Sequence, residues 1–255
     1  ILKRTYSDIG GQTEVPHDTY YVYDQYGNLT FVIPPLAASE DLTQIVLDDL
    51  CYQYRYDYRN RLIEKKLPGK GWEYLIYDKL NRAILSQDPN LRVNNKWNFI
   101  EYDNLGRIVY EGILTDSNNY SREQMQGVVD GLNTVVFYNG LPPFNYSHYL
   151  DQFALEVNSV SYYDDYQFNL DGINIPTHSA YGAEINLQTR NLLTGKKVRA
   201  LGSNEWETIV LLFDNKDRVI KTITKSQILG TISSLDNKLD FLGNILESKA
   251  LVTKA

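Results

Sequence analysis

Residues 53–111 read QYRYDYRNRLIEKKLPGKGWEYLIYDKLNRAILSQDPNLRVNNKWNFIEYDNLGRIVYE, and one phrase recurs three times within them. Tyr56-Asp57 is followed by Asn60-Arg61-Leu62, Tyr77-Asp78 by Asn81-Arg82-Ala83, and Tyr102-Asp103 by Gly106-Arg107-Ile108. A repeat is the first thing to settle in a sequence, because it dictates the architecture before any single residue does. The phrase has a direct physical reading. Asp at the first position of a type I turn can accept a backbone N–H within the turn, and Gly three residues later can adopt a positive φ. Such a residue forms the bulge that closes a three-residue hairpin loop. Asn60 and Asn81 replace Gly because Asn tolerates the left-handed region better than other side chains. Tyr-Asp-x-x-Gly/Asn is therefore the tip of a β-hairpin.

Outward from this stretch the phrase returns in both directions. Upstream, Tyr23-Asp24-Gln25-Tyr26-Gly27-Asn28 lies between Tyr- and Val-rich runs. Downstream, Tyr163-Asp164 is degenerate, since neither Gly nor Asn follows at the required spacing. Phe213-Asp214-Asn215-Lys216-Asp217-Arg218 replaces Tyr by Phe and Gly by Asp, and Asp240-Phe241-Leu242-Gly243-Asn244 closes the series. Seven copies result, five of them close to the full pattern. The interval from Asp57 to Asp78 is 21 residues and that from Asp78 to Asp103 is 25, the length of two strands with their connections. The 33 residues from Asp24 to Asp57 leave room for an insertion.

That insertion, at about 36–51, reads as a helix from Ser39 to Leu50, with Ser39 as N-cap and Leu42, Ile45 and Val46 at helical spacing. A second helix is expected within 117–132, where Ser121 and Gln124 fit a capping box ahead of Met125, Val128 and Val129. Residues 133–156 read as an irregular insertion, with Asn139-Gly140 and Pro142-Pro143 in it. Leu67-Pro68-Gly69-Lys70-Gly71 and Asp88-Pro89-Asn90 read as breakers between hairpins, and residues 1–19 as a mixed polar lead-in with Gly10-Gly11 and Pro16.

Composition narrows the class. The 255 residues contain 21 Tyr against 8 Phe and 3 Trp, which suits half-buried positions on sheet faces where the ring packs and the hydroxyl stays wet. A formal charge of −7 disfavours nucleic acid as a partner. One cysteine, Cys51, permits no internal disulfide, and a small buried residue is the simpler reading than a nucleophile. No apolar run is long enough to span a membrane. The opening Ile1-Leu2-Lys3-Arg4 suggests a piece of a longer polypeptide.

These residues resemble the Rhs or YD-repeat family. The resemblance rests on Tyr23-Asp24-x-x-Gly27-Asn28, Tyr56-Asp57-x-x-Asn60-Arg61-Leu62, Tyr102-Asp103-x-x-Gly106-Arg107 and Asp240-x-x-Gly243-Asn244, and it covers roughly residues 20–112 and 157–250. The run from Cys51 through Arg92 looks like the version found in large surface or secreted proteins of Bacteroidetes. The resemblance implies a mainly β chain of hairpins wound side by side into a spiralling sheet, a slice of a hollow shell, with two short helical insertions. In family members that shell can enclose a C-terminal toxic domain, and in animal relatives it belongs to an extracellular adhesion module. It implies a structural, non-enzymatic role, an exported or cell-surface location, and as partner the remainder of the same polypeptide, including a C-terminal toxin domain. The aspartyl self-cleavage site of the family has no match here.

Chemistry is weakly signalled. The aspartates of the tips (Asp24, Asp57, Asp78, Asp103, Asp214, Asp240), with Gly27, Asn60, Asn81, Gly106 and Gly243, read as turn formers rather than as acid–base pairs or cation ligands. Arg61, Arg82, Arg107 and Arg218 are expected to pair with acidic neighbours across strands. His17, His148 and His178 lack the spacing of metal ligands, and no cofactor is implied. Gly69-Lys70-Gly71 is too short for a phosphate loop. The alternative to a scaffold is a carbohydrate-binding or adhesion surface, with Trp72, Trp97 and Trp206 as candidates for stacking on a glycan. Sheet-face packing is the competing reading of those three rings.

Overall fold

The computed structural model describes residues 1–7, 15–131, 150 and 153–254. In chain order the first elements are β1 (Leu2–Ser7), β2 (Val15–Tyr23), β3 (Leu29–Ile33), α1 (Pro35–Ala38), α2 (Gln44–Leu50), β4 (Tyr52–Tyr56) and β5 (Leu62–Lys66). There follow β6 (Glu73–Tyr77), β7 (Ala83–Gln87), α3 (Pro89–Val93), β8 (Lys96–Tyr102), β9 (Ile108–Thr115) and α4 (Arg122–Gly131). The last elements are β10 (Ala154–Asp164), β11 (Thr189–Arg199), β12 (Trp206–Phe213), β13 (Val219–Ser226), β14 (Thr231–Leu239) and β15 (Ile245–Lys254). The chain is mainly β. Among the described residues, 15 strands form one antiparallel sheet in which each strand lies beside its neighbours in sequence. Such an order arises when each hairpin leaves an edge and the next strand of the chain is nearest to fill it.

The chain packs as two compact units. The first contains Ile1–Phe99 and the described part of Leu114–Val135; the second contains Ile100–Ile113 and the described part of Val136–Ala255.

In the first unit, the buried residues of the strands include Ile76, Ile84, Leu85, Trp97, Phe99 and Leu114, joined by Met125 and Val129 of α4. Ile33, Ala37 and Cys51 form a buried cluster with Phe31, Val46, Leu47 and Leu50 packed against it. Pairing within hairpins is longer than pairing between them. β4 and β5 share four residue pairs, whereas β5 and β6 share only Glu64↔Tyr74 and Lys65↔Glu73. β3 and β4 likewise meet only through Phe31↔Gln53 and Val32↔Tyr52. Adjacent hairpins are thus joined by backbone at their open ends and part toward their tips.

Local chemistry corrects several sequence expectations in this unit. Ser39 does not start a helix. The first insertion is two helices, and Ser39 ends the first, its hydroxyl donating to Leu36 O at 2.8 Å. Pro35 starts α1 at a position where a missing N–H costs nothing. Thr43 is the N-cap of α2, its Oγ1 accepting from Val46 N at 3.4 Å. Asp88-Pro89 is likewise a helix start rather than a plain breaker: Asp88 Oδ1 accepts from Leu91 N at 2.8 Å and Pro89 occupies the first turn of α3. β1 and the first half of β2 lay unseen in the polar lead-in. β1 is exposed along nearly its whole length, so no burial alternation marks it, and it is held by backbone pairing and by the Arg4–Asp18 contact at 2.6 Å. Ser121 and Gln124 cap α4 reciprocally: Gln124 N donates to Ser121 Oγ at 3.2 Å and Ser121 N to Gln124 Oε1 at 2.8 Å. Gly10-Gly11, His148 and most of the 133–156 insertion, with Asn139-Gly140 and Pro142-Pro143, lie outside the described residues.

In the second unit, Val160, Tyr162, Val210, Leu212, Phe213, Ile220 and Ile223 of the strands are buried, as are Phe168, Ile173 and Ile185 from the segment after β10. Phe168 stacks on Tyr162 with ring centroids 4.2 Å apart and planes 10° from parallel. Its ring also packs against Gly195, where a Cβ would fall within 2.9 Å of both Cε atoms. Close packing thus requires a glycine at this position.

Candidate functional site

The feature shared by six of the seven repeat copies is the hairpin tip. In the Asp24 tip, Asp24 N donates to Asn28 O at 2.9 Å and Gly27 N to Asp24 O at 3.2 Å, with Gly27 at φ +85°. This is a three-residue loop closed by a bulge, and the strand register shifts there, Val22↔Phe31 being followed by Tyr23↔Leu29. The Asp57, Asp78, Asp103, Asp214 and Asp240 tips repeat the pair of backbone bonds. Their left-handed residues are Asn60, Asn81, Gly106, Asp217 and Gly243, at φ between +58° and +94°.

The aspartate side chain completes each turn. Asp57 Oδ1 accepts from Arg59 N at 2.9 Å and Arg61 N at 3.0 Å, while Oδ2 accepts from Arg61 Nε at 2.7 Å. Asp78 does the same with Leu80, Arg82 and the Arg82 guanidinium. Asp103 does it with Leu105 and Arg107, and Asp214 with Lys216 and Arg218. In the first and last tips Asn28 and Asn244 take the place of Arg. The cross-strand pairing expected of these arginines holds for Arg107, which meets Asp164 at 2.8 Å, but Arg61, Arg82, Arg107 and Arg218 all pair with the aspartate four residues earlier in their own turn. The signal was present in the sequence, as Asp-x-x-x-Arg in four tips and Asp-x-x-x-Asn in two.

The same Arg or Asn then reaches the following tip. In the first unit Asn28 Nδ2 donates to Asn60 Oδ1 at 3.0 Å, and Arg61 Nη1 to Asn81 Oδ1 at 3.0 Å. In the second unit the Arg107 fork grips the Asp164 carboxylate at 3.0 and 2.8 Å, and Arg218 Nη1 donates to Asp240 O at 2.9 Å. The degenerate Asp164 copy is thus a receiver for Arg107, its own backbone at φ +76°. The tyrosine of the phrase adds a second rung. Tyr56 Oη donates to Leu29 O at 3.0 Å, Tyr77 Oη to Leu62 O at 2.7 Å and Tyr163 Oη to Ile108 O at 2.9 Å. The Arg61 guanidinium covers the Tyr77 ring at 4.6 Å, and that of Arg107 covers Tyr163 at 4.3 Å. Side chains therefore join the tips where the backbones have separated.

Between β5 and β6 a helix takes part. Gln126 of α4 accepts from Tyr77 N at 3.0 Å through Oε1 and donates to Tyr77 O at 2.8 Å through Nε2, so its amide stands in for a missing strand partner. Arg122 of α4 lies 3.5 Å from the buried Glu64 of β5. No sequence spacing pointed to either contact.

Electrostatics follow from these bonds. The Asn28 amide, helped by backbone N–H groups, holds Asp24 below the usual carboxylate range, and Asn244 does the same for Asp240. Burial pushes Asp57 and Asp214 up, but backbone N–H groups and the Arg61 or Arg218 guanidinium outweigh it and leave both low. Arg107 holds Asp164 low. Burial raises the Tyr77 and Tyr163 hydroxyls, which keeps them protonated as donors. These carboxylates are ionised and already bonded, the opposite of a general acid kept protonated by its surroundings.

The other candidates are scattered. Trp97 is fully buried and presents no face to a glycan. Trp72 is half-buried with the Arg55 guanidinium 4.1 Å over its ring, and Trp206 is half-buried at the start of β12. His17 shares a hydrogen bond with Ser7 Oγ at 3.0 Å and His178 one with Thr177 Oγ1 at 3.0 Å. Cys51 is buried, which raises its thiol. Among the described residues no three His, Cys, Asp or Glu side chains are grouped to hold a metal ion, and no helix is long and apolar enough to cross a membrane. Buried polar contacts that the sequence did not signal occur in the second unit, where Lys197 Nζ meets Asp171 Oδ2 at 2.7 Å and Lys221 Nζ meets Asp236 Oδ2 at 2.6 Å.

No protein-family model and no curated protein matches the chain. Among solved structures it is similar to a crystal structure of TcdB2-TccC3-Cdc42, at 11% identity and a TM-score of 0.37 over 98% of this chain and 14% of that one. A structure of TcdB2-TccC3 without its hypervariable C-terminal region is similar at 11% identity and a TM-score of 0.38, and one of TcdB2-TccC3-TEV at 12% and 0.35. This chain spans 14% of the length of each, and the relation is a weak one at the level of the fold.

Proposed function

We propose that this chain is a structural, non-enzymatic stretch of wall in an exported or cell-surface shell of the YD-repeat kind. The observation that carries this reading is that most of the tips serve twice. Each tip aspartate closes its own turn, and in four tips the Arg or Asn that it holds also reaches the next. Polar groups that an enzyme would direct at a substrate are here directed at the neighbouring repeat. A hairpin alone cannot bury its aromatic face, and stacking neighbours buries it. The function of such a wall is to separate what lies on its two sides, and its cargo in this reading is a C-terminal toxin domain of the same polypeptide. Cryo-electron microscopy of the native gene product, with limited proteolysis in parallel, tests it. The expected result is these hairpins continuous with others in a closed wall, and an internal polypeptide that resists protease until the wall is opened. A native product in which this segment is a free-standing module with no enclosed chain would overturn the reading. Surface-protease accessibility on intact cells checks the location.

A further inference from the structure

We infer that the Asp24, Asp57 and Asp78 tips of the first unit form a docking edge for an anionic lipid surface. Tyr26, Tyr58 and Leu80 enter its headgroup layer, and Arg59 and Lys79 meet its phosphates. The three tips stand side by side, since Asn28 Nδ2 donates to Asn60 Oδ1 and Arg61 Nη1 to Asn81 Oδ1, each at 3.0 Å. Two strand spacings separate one hairpin from the next, about 10 Å, so the edge carries its side chains at regular intervals.

Two features of the tips select this partner. The first is a large apolar side chain on each tip that the turn itself does not need. Tyr26, Arg59 and Leu80 give the turn only their backbone N–H, which the aspartate Oδ1 accepts. Small polar residues serve such turns well, yet Tyr26 is 71% exposed, Tyr58 86% and Leu80 50%. Single exposed apolar residues are ordinary, but a row of three on neighbouring protrusions is not. A folded partner would have to supply three separate apolar pockets at this spacing. A bilayer interface receives such groups wherever they fall, and the tyrosine ring, apolar with a polar end, suits headgroup depth.

The second feature is charge. The two residues after each aspartate are Gln25-Tyr26, Tyr58-Arg59 and Lys79-Leu80, two cations and no acid in a chain with 32 acidic and 25 basic residues. The aspartates behind them are already engaged, Asp57 by Arg61, Asp78 by Arg82 and Asp24 by Asn28. The Arg59 guanidinium lies 5.4 Å from the Tyr58 ring centroid, so cation and apolar surface share one tip. An anionic surface attracts this edge and repels the acidic remainder, which sets the orientation of docking.

This inference does not depend on the shell reading, and either can fail alone. The test is co-sedimentation of the protein with vesicles of phosphatidylcholine alone and of phosphatidylcholine mixed with phosphatidylglycerol. The expected result is saturable binding to the mixed vesicles that weakens as salt is added, and a loss of about fivefold in each of Arg59→Gln and Lys79→Gln. The triple variant Tyr26→Ser, Tyr58→Ser, Leu80→Ser is expected to lose about tenfold or more. Val93→Ser, at an 85% exposed position of α3, is expected to bind as the parent does. All these side chains are exposed, so the fold is expected to survive, as unchanged thermal unfolding would show. Tyr58→Trp supplies a readout that needs no loss of binding. Its added emission is expected to shift to the blue with mixed vesicles and to be quenched by brominated lipid, whereas that of Val93→Trp is not. Absence of sedimentation with the mixed vesicles overturns the inference. So does equal binding to phosphatidylcholine alone, a triple variant that binds like the parent, or a Tyr58→Trp emission that brominated lipid leaves unchanged.

Discussion

Asp57→Ala tests whether the tips hold the sheet together. The Asp57 side chain is 13% exposed and accepts from Arg59 N, Arg61 N and the Arg61 guanidinium at 2.7–3.0 Å. Alanine removes the carboxylate oxygen that accepts from two backbone N–H groups, each bond worth about 1 kcal/mol net when the freed N–H can reach water. It also removes an ion pair of about 0.5–1 kcal/mol. The Arg61 fork loses its anchor, so its reach to Asn81 loosens with it. The expected cost is roughly 2–3 kcal/mol, or about 5–10 °C in the thermal midpoint of a chain this size. Asp57→Asn keeps one acceptor oxygen and loses the charge, with an expected cost of about 1 kcal/mol. The assay is thermal and denaturant unfolding followed by near-UV circular dichroism, to which the many tyrosines contribute. Arg61→Ala and the double variant complete a cycle whose expected coupling is about 1 kcal/mol. The reasoning is refuted if Asp57→Ala falls within about 0.5 kcal/mol of the parent. A cycle with no coupling would show that Arg61 and Asp57 merely lie close together.

Other perturbations test other joints. Gln126→Ala leaves the Tyr77 N–H and C=O without their helix partner and is expected to cost about 1–3 kcal/mol, with faster hydrogen exchange at Tyr77 as the local readout. Gly195→Ala drives a methyl into the Phe168 ring, and overpacking of this kind is expected to lower stability by about 1–3 kcal/mol and to disturb the Tyr162 stack, visible in near-UV circular dichroism. The pH dependence follows from carboxylates whose folded values are depressed. Asp57, Asp164 and Asp214 lie below the ordinary 3.8, so their stabilisation is present above that value and is lost as pH falls through the lower folded values. Denaturant midpoints are expected to fall below about pH 4, and less steeply in Asp57→Asn than in the parent.

The tips were legible in the sequence because a turn is a local problem. Asp, Gly and Asn at fixed offsets satisfy donors and a positive φ within five residues, and no distant partner is needed. The mainly β class followed from the same offsets. The Asp-x-x-x-Arg pairing is equally local, since both side chains belong to one turn. Ser39 has the side chain of an N-cap, but Pro35 starts the helix and leaves Ser39 at its end.

What the sequence determined, then, is where the chain folds back: at Asp24, Asp57, Asp78, Asp103, Asp214 and Asp240. What only the tertiary structure decided is how one fold-back meets the next. Tyr77 and Gln126 are 49 residues apart, and Arg107 and Asp164 are 57 apart. No periodicity relates such pairs; they meet because separated strand backbones leave donors and acceptors that some side chain must satisfy.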